Sequence, residues 1–296
     1  MKLSEYDLDK REGQRVPSPG RCIYCLSTEN LTDEHVIPFA LGANTVIFQD
    51  ASCKRCAETI QPYEQEVLRK QLGVFRAKVD APSRTKPKHR PTHTDLHFIE
   101  VNELGDTIRD LGKRRYRIAD VPLTLSLWQL PEARILGLDA EAADERGRAW
   151  TYCDTAAANE LNRAVAEETK SRHVAVKVGE VNRNHFLRFL AKTAHAFAVS
   201  ALGLDALRPV LKDLILNESH DLSKYVGGGP RAAPHEVDPA TTVLLTLGQA
   251  EDGPGKGLVA VRLQFYPQLG SPAYVVIVGK PLENIEARAK GVTVSG

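Results

Sequence analysis

The sequence predicts an α+β protein, and three observations lead to this class. Two Cys-x-x-Cys pairs, Cys22/Cys25 and Cys53/Cys56, enclose a segment typical of two short strands and are followed by a helical pattern. Farther along, apolar residues at three- and four-residue steps mark a long helix at 184–202. Alternating apolar runs on both sides of that helix mark strands. We therefore expect a small N-terminal module followed by a mixed domain with antiparallel strands and a central helix pair.

Composition limits the classes of protein to consider. Of 296 residues 42% are hydrophobic, enough for packed cores, while 39 Lys and Arg against 38 Asp and Glu leave a net charge of +1. This balance excludes binding to nucleic acid through overall charge, although it leaves room for local basic surfaces. No apolar run approaches the about 18 residues of a membrane helix, and the charged N-terminus is unlike a signal peptide. We expect a cytoplasmic protein without a membrane partner.

The paired cysteines predict a metal site. A disulfide framework is typical of small secreted domains and does not suit a chain of this size and expected compartment. Each Cys-x-x-Cys presents two sulfurs to one tetrahedral ion, and zinc prefers thiolates. Because Cys22, Cys25, Cys53 and Cys56 would close the shell of the ion, we expect structural zinc. Cys153 stands alone and is expected to pack as a small hydrophobic residue.

The 27 residues between the cysteine pairs predict two strands joined by a turn, at 32–37 and 45–48. The second pair opens a helical stretch at 54–72, which Pro62 should kink or restart. The order cysteine pair, hairpin, cysteine pair and helix places His35, with two acids directly before it, beside a metal-braced scaffold.

This combination resembles the HNH endonucleases, whose core is the ββα-metal fold. The resemblance covers about residues 20–76 and rests on the two cysteine pairs and on the run Asp33-Glu34-His35-Val36-Ile37-Pro38. It implies metal-dependent hydrolysis of phosphodiester bonds in nucleic acid, with DNA as the preferred substrate and RNA as the alternative. Restriction or phage defence is a role that the family resemblance implies. The remainder of the chain resembles uncharacterised extensions of bacterial HNH proteins, which implies no function.

The resemblance also implies roles for residues of the hairpin. It makes His35 the general base that activates water, and an imidazole that is largely neutral near pH 7 suits this role. It makes Glu34 a ligand of one divalent ion, Mg²⁺ or Mn²⁺, which would stabilise charge on the phosphate. Alternation along a strand would instead place Asp33 on the face of His35, so Asp33 stays an alternative ligand.

One position departs from the family pattern. Asn or His often follows the fourth cysteine and completes the metal site, but Ala57 stands there and has no ligand atom. Glu64, seven residues later on about the same helical face, is a replacement candidate, and Glu58 is another. The departure keeps a second hypothesis open, a zinc-containing nucleic-acid-binding module without cleavage. A third is that the module only braces a ligand-binding or assembly domain.

A basic segment follows the module. Residues 69–90 hold eight Lys or Arg and one acid, Asp80, and prolines predict an extended linker at 81–92. Such a strip suits contact with a phosphate backbone, and a second basic cluster at 113–117 would extend it. The candidate contacts are Arg69, Lys70, Arg76, Lys78, Arg84, Lys86, Lys88 and Arg90.

We thus expect four regions: an N-terminal extension at 1–19, the module at 20–80, the linker at 81–92 and an α+β domain at 93–296. The last region has no motif that carries chemistry, and a homodimer through it is one expectation. His185 and His195 flank the apolar helix stripe and are expected to pack or to lie at the surface. The other expected elements are strands at 96–101, 116–118, 123–128, 242–247, 258–265 and 273–278, helices at 154–168 and 206–216, and a flexible turn at 225–230.

Overall fold

A computed structural model describes residues 2–5, 14–41, 46–83, 85–137, 146–177, 179, 181–250 and 253–282. These residues form a mixed α+β arrangement with antiparallel sheets and a four-cysteine cluster, which confirms the predicted class. The described helices are α1 (Lys54–Gln65), α2 (Gly73–Lys78), α3 (Thr155–Thr169), α4 (Arg183–Leu202) and α5 (Lys212–Ile215). The described strands are β1 (Lys2–Glu5), β2 (Gln14–Val16), β3 (Leu31–His35), β4 (Val46–Cys53), β5 (His93–Val101), β6 (Thr107–Arg117), β7 (Thr124–Gln129), β8 (Arg148–Cys153), β9 (Val174–Val176), β10 (Leu207–Pro209), β11 (Val226–Gly229), β12 (Val243–Gln249), β13 (Val259–Phe265) and β14 (Ala273–Pro281).

The predicted hairpin is present and belongs to a three-stranded sheet. β4 pairs antiparallel with β3, so that His35 faces Ile47, and parallel with β2 on its other edge. β4 is longer than expected because it continues to Cys53 with a buried end. Two strands lie in the expected N-terminal extension: β2 joins this sheet, and β1 pairs with β12 in another.

The first helix continues through Pro62 and then widens. α1 contains Pro62 in its interior, and a π-helical segment, Glu66–Gln71, follows directly. The wider turn is visible in the hydrogen bond from the Leu72 N–H to the Val67 carbonyl at 2.9 Å. The predicted helical stretch is therefore confirmed, and Pro62 does not restart it, because α1 runs unbroken from Lys54 to Gln65.

Helix α4 is the central element, and its position agrees with the predicted 184–202. The Asn182 side chain caps its start by accepting a hydrogen bond from the His185 N–H, and Gly203 follows its end. Its residues from Phe186 to Val199 are all buried. The expected second helix at 206–216 is wrong. The backbone at 207–209 pairs with β14 as β10, where Pro209 has no N–H for a helix, and only the short α5 follows.

Helix α4 packs on a six-stranded sheet in the order β1-β12-β13-β14-β10, with β11 also paired to β14. The three predicted C-terminal strands, at 242–247, 258–265 and 273–278, are confirmed as β12, β13 and β14. The expected turn at 225–230 is instead strand β11. Its glycines allow this, because the backbone of 130–133 packs so closely that no side chain would fit beside it.

Gly228→Ala is expected to lower the free energy of unfolding by at least about 2 kcal/mol. A Cβ at Gly228 would lie 2.2 Å from the Leu130 carbonyl oxygen, so backbone has to move. Gly73→Ala is the matched control, because nothing lies within 4 Å of its added Cβ, and it should be neutral or slightly stabilising. Urea unfolding of both variants tests this, and equal stability of the two would contradict it.

One hydrophobic core contains residues from both sides of the expected linker. One cluster of buried residues includes Tyr24 and Phe48 from the first region together with Phe189 and Phe265 from the last. The division into 20–80 and 93–296 is thus not accompanied by two separate cores. Within the region 93–296, β6, β5 and β9 form one sheet, and β7 and β8 pair with each other; β8 and β9 were not predicted. Within the described ranges, no helix is both long and apolar enough to cross a bilayer.

Candidate metal centre and buried carboxylate pair

Four cysteine sulfurs converge in the N-terminal module. Cys22 and Cys25 lie on a turn closed by the Cys22 N–H and the Ser27 carbonyl at 2.7 Å, and Cys53 and Cys56 lie at the start of α1. The four sulfurs lie within 4.8 Å of one another, and those of Cys25 and Cys53 are 3.5 Å apart. Tetrahedral Zn–S bonds of about 2.3 Å place sulfurs about 3.8 Å apart. The cluster is therefore compatible with a metal ion such as zinc.

The thiols of the cluster differ in how easily they ionise in the protein alone. Burial raises the pKa of Cys22 and Cys56, so both hold their protons in the protein alone. Burial also opposes ionisation of Cys25, but hydrogen bonds from the Ser27 N–H and the neighbouring thiols outweigh it and lower the pKa of Cys25 to about 7. A divalent ion would supply the charge that lets all four ionise and act as ligands.

Helix α4 contacts the turn of the first cysteine pair. His195 Nε2 donates a hydrogen bond to the Ile23 carbonyl at 2.9 Å, and its ring lies 5.5 Å from that of Tyr24. His195 is 1% exposed, and burial lowers its pKa, so the imidazole stays neutral. The helix thereby contacts the turn that carries Cys22 and Cys25.

Stability should fall on acidification because of His195. Its folded-state pKa lies below the unfolded value of about 6.5, so the unfolded chain binds the extra proton and stability is lost as the pH falls below about 6.5. One such proton lowers the free energy of unfolding by about 1.4 kcal/mol per pH unit. His195→Gln keeps a donor for the Ile23 carbonyl and should reduce this slope between pH 7 and 5. An unchanged slope in urea unfolding would contradict the assignment.

The acids Glu34 and Glu64 meet around a buried lysine. Lys192 Nζ lies 2.5 Å from Glu34 Oε1 and 2.8 Å from Glu64 Oε1, and it donates a hydrogen bond to the His35 carbonyl at 2.6 Å. The Lys192 side chain is 1% exposed and that of Glu34 is 7% exposed. β3, α1 and α4 each contribute one member, so this arrangement joins the hairpin and the first helix to the central helix.

Lys192 is positively charged in this setting. Burial alone would lower its pKa, but the Glu34 and Glu64 carboxylates outweigh burial and raise the pKa above the ordinary lysine value. Its ammonium faces three oxygen atoms, which are the ligand type that Mg²⁺ prefers. The predicted catalytic ion would need the same carboxylates, so the residues do not fit a divalent ion while Lys192 is in place.

Sequence reasoning missed Lys192, although a signal existed. It is a charged residue inside the apolar stripe of a helix whose neighbours are all buried. Lysine is almost never fully buried without a partner, so its position predicts an acidic partner without identifying which one.

The other predicted metal ligands lie elsewhere. Asp33 is exposed, accepts a hydrogen bond from the Asp50 N–H at 3.3 Å and pairs with Arg15 at 3.4 Å. Glu58 is exposed and lies 4.0 Å from Lys54. His35 is half-buried at the end of β3. The structure therefore brings Glu34 and Glu64 together, and it places Asp33 and Glu58 apart from them. Among the described residues, the four cysteines are the one group of three or more Cys, His, Asp or Glu side chains whose ligand atoms converge.

Some predicted nucleic-acid contacts are engaged within the protein. Arg76 is not available, because its half-buried guanidinium donates to the carbonyls of Ala40, Leu68 and Pro82 at 2.5, 2.7 and 3.2 Å. Lys78 donates to the Ala119 carbonyl at 2.5 Å. For Arg76 the expected contact with nucleic acid is corrected to a structural role, since its donors hold three segments of backbone together.

The remaining predicted cations lie at the surface. Lys70 pairs with Glu66 at 2.6 Å, and Arg90 donates to the Thr85 carbonyl at 3.1 Å. Arg69, Lys86 and Lys88 are exposed and make no ion pair within the described part of the chain. Arg84 lies outside the described residues. The exposed side chains thus leave a smaller basic surface than the sequence suggests.

The second basic cluster lies on a sheet. Lys113 and Arg115 are exposed on β6, opposite His97 and Asp95 of β5. On the other side of β5, the exposed Lys177 donates its N–H to the His97 carbonyl at 2.7 Å. Because paired residues share a face of a sheet, His97 and Lys113 lie in one row across the strands.

Comparison with known proteins identified no similar protein. No protein-family model, no curated protein and no solved structure matches this chain.

Proposed function

We propose that the chain is a zinc-containing nucleic-acid-binding protein of the HNH type that does not cleave through a divalent ion. The observation that supports this proposal best is Lys192, whose ammonium lies 2.5 and 2.8 Å from the two acids expected to hold the ion. In this proposal the four cysteines hold structural zinc, and DNA is preferred over RNA as the partner.

The energetics of the buried pair favour binding without hydrolysis. A catalytic ion would have to displace Lys192 from Glu34 and Glu64 and leave an ammonium on a side chain that is 1% exposed without a carboxylate partner. Breaking a buried ion pair in this way costs about 3–5 kcal/mol. A divalent ion with a dissociation constant of about 1 mM gains only about 4 kcal/mol on binding. The cost of breaking the ion pair would cancel this gain, so the ion would not stay in the site at millimolar concentration.

Exposed cations supply the binding surface. Arg69 lies in the π-helical segment of the module, Lys86 and Lys88 follow the module, and Lys113 and Arg115 lie on β6. Neutralising phosphates with such side chains releases counterions, which gives affinity for a backbone without reading its sequence.

Lys113→Gln with Arg115→Gln is expected to weaken binding to duplex DNA and to reduce the slope of log K against log salt by about 2, one for each lost phosphate contact. Fluorescence anisotropy at several salt concentrations measures both effects. Lys212→Gln on α5 is the matched control, because it removes an exposed cation that is not part of the proposed binding surface. A slope that changes no more than in the control would exclude β6 from the interface.

A second function, metal-dependent endonuclease, is favoured by the position of His35. It is half-buried at the end of the hairpin and directly follows Glu34. In that function His35 is the general base, and restriction or phage defence is the role that the family resemblance implies. It requires Lys192 to leave the carboxylates or the ion to bind elsewhere.

One experiment separates these functions. Wild type and His35→Ala, both loaded with zinc, are incubated with supercoiled plasmid, single-stranded DNA and RNA in buffers containing Mg²⁺, Mn²⁺ or neither. Binding to the same substrates is measured in parallel. Binding by both proteins without cleavage supports the first function. Cleavage that needs the ion and is lost in His35→Ala establishes the second. If neither protein binds or cleaves, both functions fail, and the module then only braces the rest of the chain.

A further inference from the structure

A cleft of about 790 Å³ lies beside the basic surface and is not used by the function proposed above. The π-helical segment and α2 form one wall, and residues of β5, β7, β8, β9 and α3 form the others. Its volume is within the range of about 300–1,000 Å³ typical of small-molecule sites. It is therefore large enough to enclose a ligand.

Cations lie at the cleft. Lys70 and Lys177 line it. Lys70 pairs with Glu66 at 2.6 Å, whereas Lys177 is exposed and makes no ion pair with the residues that the structure describes. Asp95 is the one acid among the described lining residues, and it lies opposite Arg115 in the pairing of β5 with β6. The balance of charge favours an anionic group, such as a phosphate, near Lys70 and Lys177.

The interior has a different character. Val121, Ala158 and Val176 provide apolar walls, while Asn162 on α3 adds a polar group. The Asn162 Oδ1 atom is buried and accepts no hydrogen bond from the described residues. Because an unmade hydrogen bond at a buried acceptor is costly, rotation of the Asn162 side chain toward an N–H donor of a ligand in the cleft would be favourable.

We propose that this cleft binds a nucleotide, with the heteroaromatic base between the apolar walls, an N–H group of the base toward Asn162, and the phosphate near Lys70 and Lys177. The source is either a free mononucleotide or one unstacked nucleotide of a single strand. A strand as the source rests on the proposed binding of nucleic acid, whereas a free nucleotide does not.

Calorimetric titration with AMP, CMP, GMP, UMP, adenosine and inorganic phosphate tests the ligand class, and a short single-stranded oligonucleotide with or without one abasic position tests the strand. Asn162→Leu removes the acceptor at similar volume and should weaken nucleotide binding about fivefold to tenfold. Lys177→Gln should weaken the nucleotides several-fold and leave adenosine unchanged. Because Lys177 is exposed, this second variant folds whether or not Asn162→Leu does. Lys212→Gln is the control.

Each outcome of these titrations either supports or overturns the proposed nucleotide site. Mononucleotide binding that depends on Asn162 and Lys177 supports a free-nucleotide site. Binding of the oligonucleotide alone, weakened by the abasic position and by Asn162→Leu, supports the strand. Inorganic phosphate that binds as tightly as nucleotides, no binding of any probe, or variants that match the control would overturn the proposal. If mononucleotides bind but long DNA does not, the cleft is retained and the proposed function fails.

Discussion

Lys192→Met is expected to lower the free energy of unfolding by about 3–5 kcal/mol at pH 7, because it leaves two carboxylates without their buried cation. Methionine keeps the length and the apolar stem of lysine, so the packing of α4 changes little. Burial already raises the pKa of Glu34, and Lys192 is the strongest of the groups that oppose this effect, so its loss should raise that pKa further. A carboxyl whose pKa is raised by folding makes the protein less stable as the pH rises. The difference in the free energy of unfolding between variant and wild type should therefore shrink toward pH 4.

Urea unfolding of a matched series measures this effect. Lys192→Met combined with Glu34→Gln and Glu64→Gln removes all three charges and should recover most of the lost stability, since neutral groups of similar shape carry no uncompensated charge. Wild-type stability in Lys192→Met at pH 7 would contradict the assignment of Lys192 as the cation of this pair.

Lys192→Ala should in addition create a cation site. Glu34 Oε1, Glu64 Oε1 and the His35 carbonyl all lie within 2.8 Å of the ammonium, and the shorter side chain leaves their shared space to an ion. Millimolar Ca²⁺ or Mg²⁺ should then raise the melting temperature of this variant and leave that of wild type unchanged. An equal response of the two proteins would show that the ion binds elsewhere.

Cys56→Ser is expected to remove zinc and to unfold the N-terminal module. Structural zinc contributes on the order of 10 kcal/mol to small domains at neutral pH, more than a typical domain has to spare. The module shares one hydrophobic core with the rest of the chain, so the loss should extend beyond residues 20–80. We expect one zinc ion per chain in wild type and less than one in the variant. The melting temperature of the variant should be lower than that of wild type by tens of degrees.

Cys153→Ser is the matched control. Cys153 is half-buried on β8 and lies outside the four-cysteine cluster, so this variant should keep its zinc and nearly all of its stability. Elemental analysis and thermal unfolding by circular dichroism compare the variants. A wild-type chain that is purified without zinc and melts as the Cys56→Ser variant does would refute the structural role of the ion.

The sequence alone predicts features that depend on local patterns. Cysteine pairs separated by two residues predict a shared ligand site, and the apolar period near 3.6 places α4 within one residue of its observed bounds. Alternation likewise places β12, β13 and β14. These features are readable because their cause, backbone geometry acting on neighbouring side chains, lies within the segment itself.

Only the tertiary structure decides which distant groups meet. Lys192 is 128 residues from Glu64 and 158 from Glu34, and nothing local to any of the three identifies its partners. Strand β11 contradicts its local glycine signal because the backbone of 130–133 and the edge of β14 favour an extended chain there. Arg76 is removed from the basic surface by carbonyls of three other segments. Burial and charge pairing are properties of the folded arrangement, so the sequence presents the groups and the fold selects which of them interact.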